Sequence, residues 1–138
     1  MTKTDPSLDT LARARPDPLK AFGESLIGAL GQIEVIESRT GLVMLPMRDT
    51  AQGSAFHLGE VLVSQAHIRA GGVDGYGMRR GRDLEAAMAM ALVDLALSLG
   101  VAPEACREFL AEETHAQKQA DEKTLRRVEA TRVKMETF

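Results

Sequence analysis

Aromatic residues are scarce in this sequence, with no tryptophan, one tyrosine and four phenylalanines. That argues against a protein that reads nucleobases by stacking them on an array of rings. The core must instead rely on aliphatic side chains and seven methionines. A single cysteine, Cys106, excludes an intrachain disulfide, and the first residues lack a basic segment followed by a continuous apolar core. A cytoplasmic protein is the expectation. Net positive charge is also missing: 17 basic against 20 acidic residues give −3, which disfavours a general nucleic-acid or anionic-membrane binder while leaving local basic patches open. A length of 138 residues fits one domain.

The most informative stretch runs from Gly75 to Gly100 and joins a glycine-rich strand, three arginines and a very apolar helix. From Leu84 to Leu99 only Glu85, Asp94 and Ser98 are polar, and Ala, Leu and Met dominate, residues that lose little on entering a helix. Asp83 stands at the expected N-cap and Gly100 at the expected left-handed C-terminal position. A helix of that length rises about 24 Å, short of the roughly 20 residues a membrane span needs. An all-round apolar helix must be buried, here either by a second helical layer or by another chain, which makes Met90 and Leu97 candidate interface residues.

Residues 1–16 read as a flexible arm carrying at most a short helical turn, and residues 17–138 as one domain. Asp17 and Pro18 open a helix that Gly31 stops. Ile33–Glu37 and Leu42–Met47 read as strands joined by a four-residue connection, with Pro46 marking an edge or bulge. Residues 49–54 read as a polar turn. Phe56–Arg69 is a further strand whose face is interrupted by Glu60 and Ser64, which a bulge near Gly59 or functional polar groups would explain. Ala70, Gly71 and Gly72 turn the chain into Val73–Arg80. Pro103 and Glu104 begin a helix through Phe109 and Leu110; residues 112–124 read as a solvated helix or connector, and residues 133–138 as strand-like. The expected architecture is α+β, an antiparallel sheet of about four strands packed with helices.

Arg79, Arg80 and Arg82 before a helix can hold a phosphate, because guanidinium forks pair with its oxygens and the helix N-terminus adds donors. Asp83 opposes this reading if it caps the helix, and the arginines then serve acidic side chains or a partner. His57 with Glu60 suggests metal binding or acid/base work, but strand positions three apart face opposite ways unless a bulge intervenes. His67 and His115 are isolated, and Cys106 reads as a packing residue. The five glycines from Gly71 to Gly81 match no phosphate-loop spacing and read as turn and bulge positions. No metal site and no complete active site are expected. One reading of these residues alone is an independent small phosphate-ester or nucleotide-binding protein; another is a homo-oligomeric scaffold.

The sequence also resembles the PhnG family, a subunit of the bacterial carbon-phosphorus lyase system. The motifs are Thr40-Gly41-Leu42-Val43, Phe56 with Leu58-Gly59-Glu60, Gly75-Tyr76 followed by Gly81-Arg82-Asp83, Ala91-Leu92 with Asp94, and Ala130-Thr131-Arg132-Val133. They span roughly residues 37 to 135 in the family's order. The resemblance implies a subunit that contacts PhnI, in an assembly with PhnH and PhnJ. Together with PhnL-type subunits, that system exchanges the adenine of MgATP for a phosphonate, giving ribose 1-phosphonate 5-triphosphate. It implies that MgATP is used by the complex, that this chain alone binds no cofactor, and that the radical step and iron-sulfur cluster belong to PhnJ. Arg82, Asp83, Thr131 and Arg132 are then fold or interface positions.

Overall fold

The computed structural model describes residues 6–48 and 55–136, with side chains over 7–44 and 59–132. The order of elements is α1 (Pro6–Arg13), α2 (Pro16–Leu30), β1 (Glu34–Arg48), β2 (Ala55–Ala70), β3 (Val73–Arg80), α3 (Leu84–Leu99) and α4 (Pro103–Glu136). The strands form one antiparallel sheet in the order β1-β2-β3. The fold is α+β, as expected, with three strands rather than about four.

The missing strand is a hairpin that does not form. Ser38, Arg39, Thr40 and Gly41 stay in β1, opposite Ala66, Gln65, Ser64 and Val63. A tight turn there needs a left-handed residue, and Gly41 is not among the glycines with positive φ. The register shifts once at Ile36 and again between Leu45 and Pro46, where Leu45 faces Gly59 and Pro46 faces His57. Leu58 is therefore the extra residue, and the expected bulge lies beside Gly59 on an edge pair containing Pro46. Gly71 and Gly72 close the second hairpin with φ of 57° and 76°, the geometry of a two-residue turn that matches strand twist.

Helix α3 is the hub. Its buried residues Ala86, Ala87, Ala89, Met90, Ala91, Leu92, Val93, Leu95 and Ala96 run all round it, and α2 and the sheet cover it from two sides. Covering by another chain is thus unnecessary for this helix, and Met90, 4% exposed, is a core residue rather than an interface candidate. The close packing depends on small residues. A Cβ on Gly77 would stand 2.0 Å from the Ala87 carbonyl oxygen, and one on Gly23 of α2 would stand 2.8 Å from the Ala89 Cβ. Gly75 and Gly77 are accordingly packing positions, not turns or bulges.

Three further expectations are corrected. The amino-terminal segment is not a flexible arm over its described part: α1 places Leu11 in the core at 0% exposure, and Ala14 follows at 1%. Helix α2 starts at Pro16, with Arg15 rather than Asp17 as the flanking residue. The carboxyl-terminal region is not strand-like, because α4 continues unbroken for 34 residues to Glu136, about 51 Å at 1.5 Å per residue. Residues 1–5, 49–54 and 137–138 lie outside the described residues, including the expected polar turn and Phe138.

Candidate functional site

The three arginines before α3 take different positions. Arg79 donates from its guanidinium to the carbonyl oxygens of Leu11 and Ala14 at 2.5 and 2.6 Å, satisfying the carbonyls that α1 leaves open at its end. Burial pushes its pKa down from the ordinary value, against the opposing influence of Asp83 and Glu113. Arg80 and Arg82 are exposed, and neither has an ion-pair partner among the described residues. Asp83 is the N-cap of α3: its carboxylate accepts from the Ala86 N–H at 3.1 Å and receives Lys20 Nζ at 2.8 Å. Lys20 first, and the Ala86 N–H second, hold the Asp83 carboxyl below its usual range. The helix N-terminus thus already carries an anion, its own side chain, which is the capped-helix alternative of the two that the sequence leaves open for this end.

A second basic surface shares Arg79 and Arg80 with this cluster. The corner between α1 and α2 brings Arg13 and Arg15 to the same cleft as Arg79 and Arg80, a space of about 870 Å³. Its apolar lining is Val43, Val61, Val63 and Met78. Arg80 stands directly across from Val63 in the β2–β3 ladder, on the sheet face opposite the one that Ala66, Ile68 and Gly77 press against α3. Arg15 is fixed by Glu113 of α4, its Nε at 3.2 Å from both carboxylate oxygens and its Nη2 at 3.2 Å. Glu113 is 1% exposed while the Arg15 side chain is 59% exposed, so a buried carboxylate orients a guanidinium that still reaches water. Arg13 pairs at 2.9 Å with exposed Asp121.

The second cluster spans β2 and β3. His67 stacks on Tyr76 with centroids 4.4 Å apart, and Asp74 receives Arg69 Nε at 2.7 Å and the Tyr76 hydroxyl at 3.4 Å. His67 Nε2 lies 3.5 Å from Asp74 Oδ1, the oxygen that also receives Arg69. The Arg69 hydrogen bond is the main cause holding Asp74 below the usual carboxylate range, with burial opposing it. A hollow of about 450 Å³ beside the ring pair shares Met78 and Ala12 with the basic cleft.

Other candidates stay apart. The bulge at Leu58 puts backbone positions 57 and 60 on one face, since they oppose Pro46 and Met44; the His57 side chain lies outside the described ones. No group of three or more His, Cys, Asp and Glu that could hold a metal occurs among the described residues. Cys106 is fully buried, and burial pushes its thiol pKa up, which suits packing rather than nucleophilic attack. His115 is exposed on α4. Leu97 is half-buried; Thr131 and Arg132 lie on an exposed part of α4.

Sequence reasoning missed Arg13, Arg15 and Glu113 as parts of a site, and it treated His67 as isolated. The His67 cluster was within reach: the Gly71-Gly72 turn sets Arg69 against Asp74 and His67 against Tyr76 by simple counting. No local signal joins Arg15 to Glu113.

The sequence model of the family described as phosphonate metabolism protein PhnG matches residues 5–138, reaching back through the first third of the chain that the motifs left unassigned. No curated protein matches the chain.

Proposed function

This chain belongs to the PhnG family, which places it in phosphonate metabolism, and from that premise we propose that it is a subunit of the carbon-phosphorus lyase core complex. In this reading it contacts PhnI and works with PhnH, PhnJ and PhnL-type subunits in the cytoplasm. Its role is to support transfer of a phosphonate onto the ribose of MgATP with release of adenine. The chain supplies binding surface, and the complete active site forms only in the assembly.

The observation that supports a subunit role is the far part of α4. Every residue from Lys118 to Arg132 is exposed, including Leu125 at 64% and Val128 at 57%. Few residues in this stretch are apolar, and a lone helix of this length is marginal in water without packing. Leu125 and Val128, three apart, share a face, and Thr131 and Arg132 follow one turn later. The β1–β2 ribbon adds to this surface, because it extends past the last β3 pair, Val63 with Arg80, and leaves Leu42, Val43 and Met44 exposed. Among the described residues, no helix is long and apolar enough to cross a membrane.

Native mass spectrometry of material captured through this chain from phosphate-starved cells tests the proposal. Recovery together with PhnI, PhnH and PhnJ is the expected result. A lone monomer or a homo-oligomer counts against it.

A further inference from the structure

The two edges of the sheet are finished differently. Along β3 the outward N–H groups of Tyr76 and Met78 are taken by the Asp94 carboxylate and Met90 Sδ of α3. β1 is the other edge and pairs only with β2. Its outward groups follow from the register. The Gly81 N–H donates to the Leu62 carbonyl oxygen, so Leu62 and the alternate residues Ser64 and Ala66 turn their backbone groups toward β3, and the residues between them turn toward β1. Leu42, Thr40 and Ser38 stand opposite Leu62, Ser64 and Ala66, and Met44 stands opposite Glu60. These four residues of β1 therefore point N–H and C=O away from the sheet. None of them enters a backbone hydrogen bond outside the ladder among the described residues.

This open run is bounded and symmetric. Ile36 is the extra residue at the first register shift, and Pro46, which has no N–H, stands at the second. Both lie five positions from Gly41. Bulges and prolines blunt a sheet edge, yet these two leave the segment between them uncovered. Gly41 at its centre has no reason within its own chain: its φ is not positive, and a Cβ there would meet nothing within 4 Å. A glycine inside a strand weakens it, and the close approach of another backbone is one of the few reasons to keep it.

We propose that the β1 edge pairs antiparallel with the β1 edge of a second copy of this chain, about a two-fold axis at Gly41, joining the three strands of each copy into one continuous sheet. In that register Thr40 bonds Leu42 of the other copy and Ser38 bonds Met44, so every outward N–H and C=O of the run meets its complement. Gly41 stands opposite Gly41 in a non-hydrogen-bonded pair, where side chains come closest. Arg39 faces Val43 and Glu37 faces Leu45, so no like charges oppose one another. The ladder ends where Ile36 meets Pro46. A strand of a different protein needs no symmetry about Gly41; a second copy does. The pairing goes beyond the subunit reading and does not rest on it, since it uses the strand edge and leaves the far part of α4 free.

Sedimentation and mild-oxidation crosslinking of the purified full chain test this. A run this short makes a smaller interface than a permanent dimer has, so a concentration-dependent dimer is expected. Thr40→Pro removes an outward N–H and no bond to β2, a placement that edge strands tolerate. It is expected to raise the dissociation constant about tenfold or more, because each copy loses a ladder bond, and circular dichroism checks that the fold is kept. Gly41→Cys is an independent measurement. It is expected to crosslink two copies through a disulfide, since its Cα atoms would stand about 4.5 Å apart, within disulfide reach. Ser38→Cys is expected not to crosslink, because its two copies would lie about 20 Å apart, six residues at about 3.4 Å each. Cys106 is fully buried and stays out of the reaction. A monomer at every concentration, no crosslink with Gly41→Cys, or equal crosslinking at both positions overturns the proposal and leaves the edge to a segment of another protein. Capture from cells reads the subunit role separately: a lone homodimer there removes that role and leaves the pairing standing, whereas a complex holding one copy of this chain does the reverse.

Discussion

The backbone N–H of Tyr76 donates to the Asp94 carboxylate at 2.9 Å. This contact explains why an otherwise apolar helix keeps an acidic residue on its central turns. β3 is an edge strand, and an unpaired edge N–H needs an acceptor; Asp94 supplies it, while Met90 Sδ accepts more weakly from the Met78 N–H at 3.4 Å. Replacing Asp94 with Ala is expected to cost about 1 to 2 kcal/mol, because a charge-assisted bond is lost at a half-exposed site. Asp94→Asn, which keeps an acceptor, should cost less. Urea unfolding of the two variants checks the order, and equal stability of wild type and Asp94→Ala contradicts the assignment.

Gly77 and Gly28 provide opposite tests of the glycine content. At Gly77 an added methyl group meets the Ala87 carbonyl oxygen, and the helix and strand must separate. Gly77→Ala is expected to destabilise by about 3 kcal/mol or more, the upper end for overpacking. Gly28 lies inside α2 with nothing within 4 Å of its would-be Cβ. Gly28→Ala should therefore raise stability by about 0.5 to 1 kcal/mol through helix propensity and a restricted unfolded chain. Thermal unfolding of both variants gives the signs.

Much of the fold follows from local chemistry. Asp83 and Gly100 mark the ends of α3, Gly71-Gly72 fixes the second hairpin, and Pro46 and Gly59 flag the irregular pair. What local pattern could not give was the length of β1, where four turn-favouring residues are overridden by pairing with β2. Nor could it give the destination of Leu11, whose burial depends on Arg79 and α4 reaching across most of the chain. The basic cleft was half legible: Arg79 and Arg80 stood out as neighbours, but their sequence neighbour Arg82 does not line it, and Arg13 and Arg15 come from a segment that resembled an arm. The buried Glu113 was hidden in a polar stretch because burial of one carboxylate there is decided by Arg15, 98 positions away.

Arg15 and Glu113 form a pair in which the partners are unequal. Removing Arg15 leaves a nearly fully buried carboxylate with its best donor gone, so Arg15→Ala is expected to destabilise by about 1 to 3 kcal/mol. The double substitution Arg15→Met with Glu113→Leu should recover most of that loss, since replacing both members by apolar groups removes the stranded charge. Chemical denaturation of the single and double variants checks this. A double variant less stable than Arg15→Ala goes against it.

Asp83 and Lys20 set a pH dependence with two limbs. The folded-state pKa of Asp83 is depressed, chiefly by Lys20, so its contribution is present above the unfolded carboxylate value of about 3.9 and is lost as pH falls through the lower folded value. That of Lys20 is raised, chiefly by Asp83, so its contribution is present below about 10.4 and is lost as pH rises through the higher folded value. Lys20→Met is expected to flatten both limbs, and salt should shrink them because the pair is exposed. Thermal unfolding between pH 3 and 11, as an approximate span for the two carboxylate and amine limits, reads both.

The proposed docking face is tested by substitutions whose burial differs. Leu125→Asp and Val128→Asp change exposed residues of α4, so each is expected to shift stability by no more than about 0.5 kcal/mol. If the far part of α4 carries the partner contact, both should nevertheless lose the complex, because an unpaired charge is placed in an apolar interface. Met90→Asp behaves differently: that side chain is 4% exposed inside its own chain, so the variant should fail to fold rather than fold and dissociate. Leu97→Asp, at a half-buried position, should fall between them. Circular dichroism separates loss of fold from loss of binding, and capture followed by native mass spectrometry reads the complex. Full recovery of the complex with both α4 variants would move the contact to the β1–β2 ribbon, where Leu42→Asp and Met44→Asp are the next pair to measure.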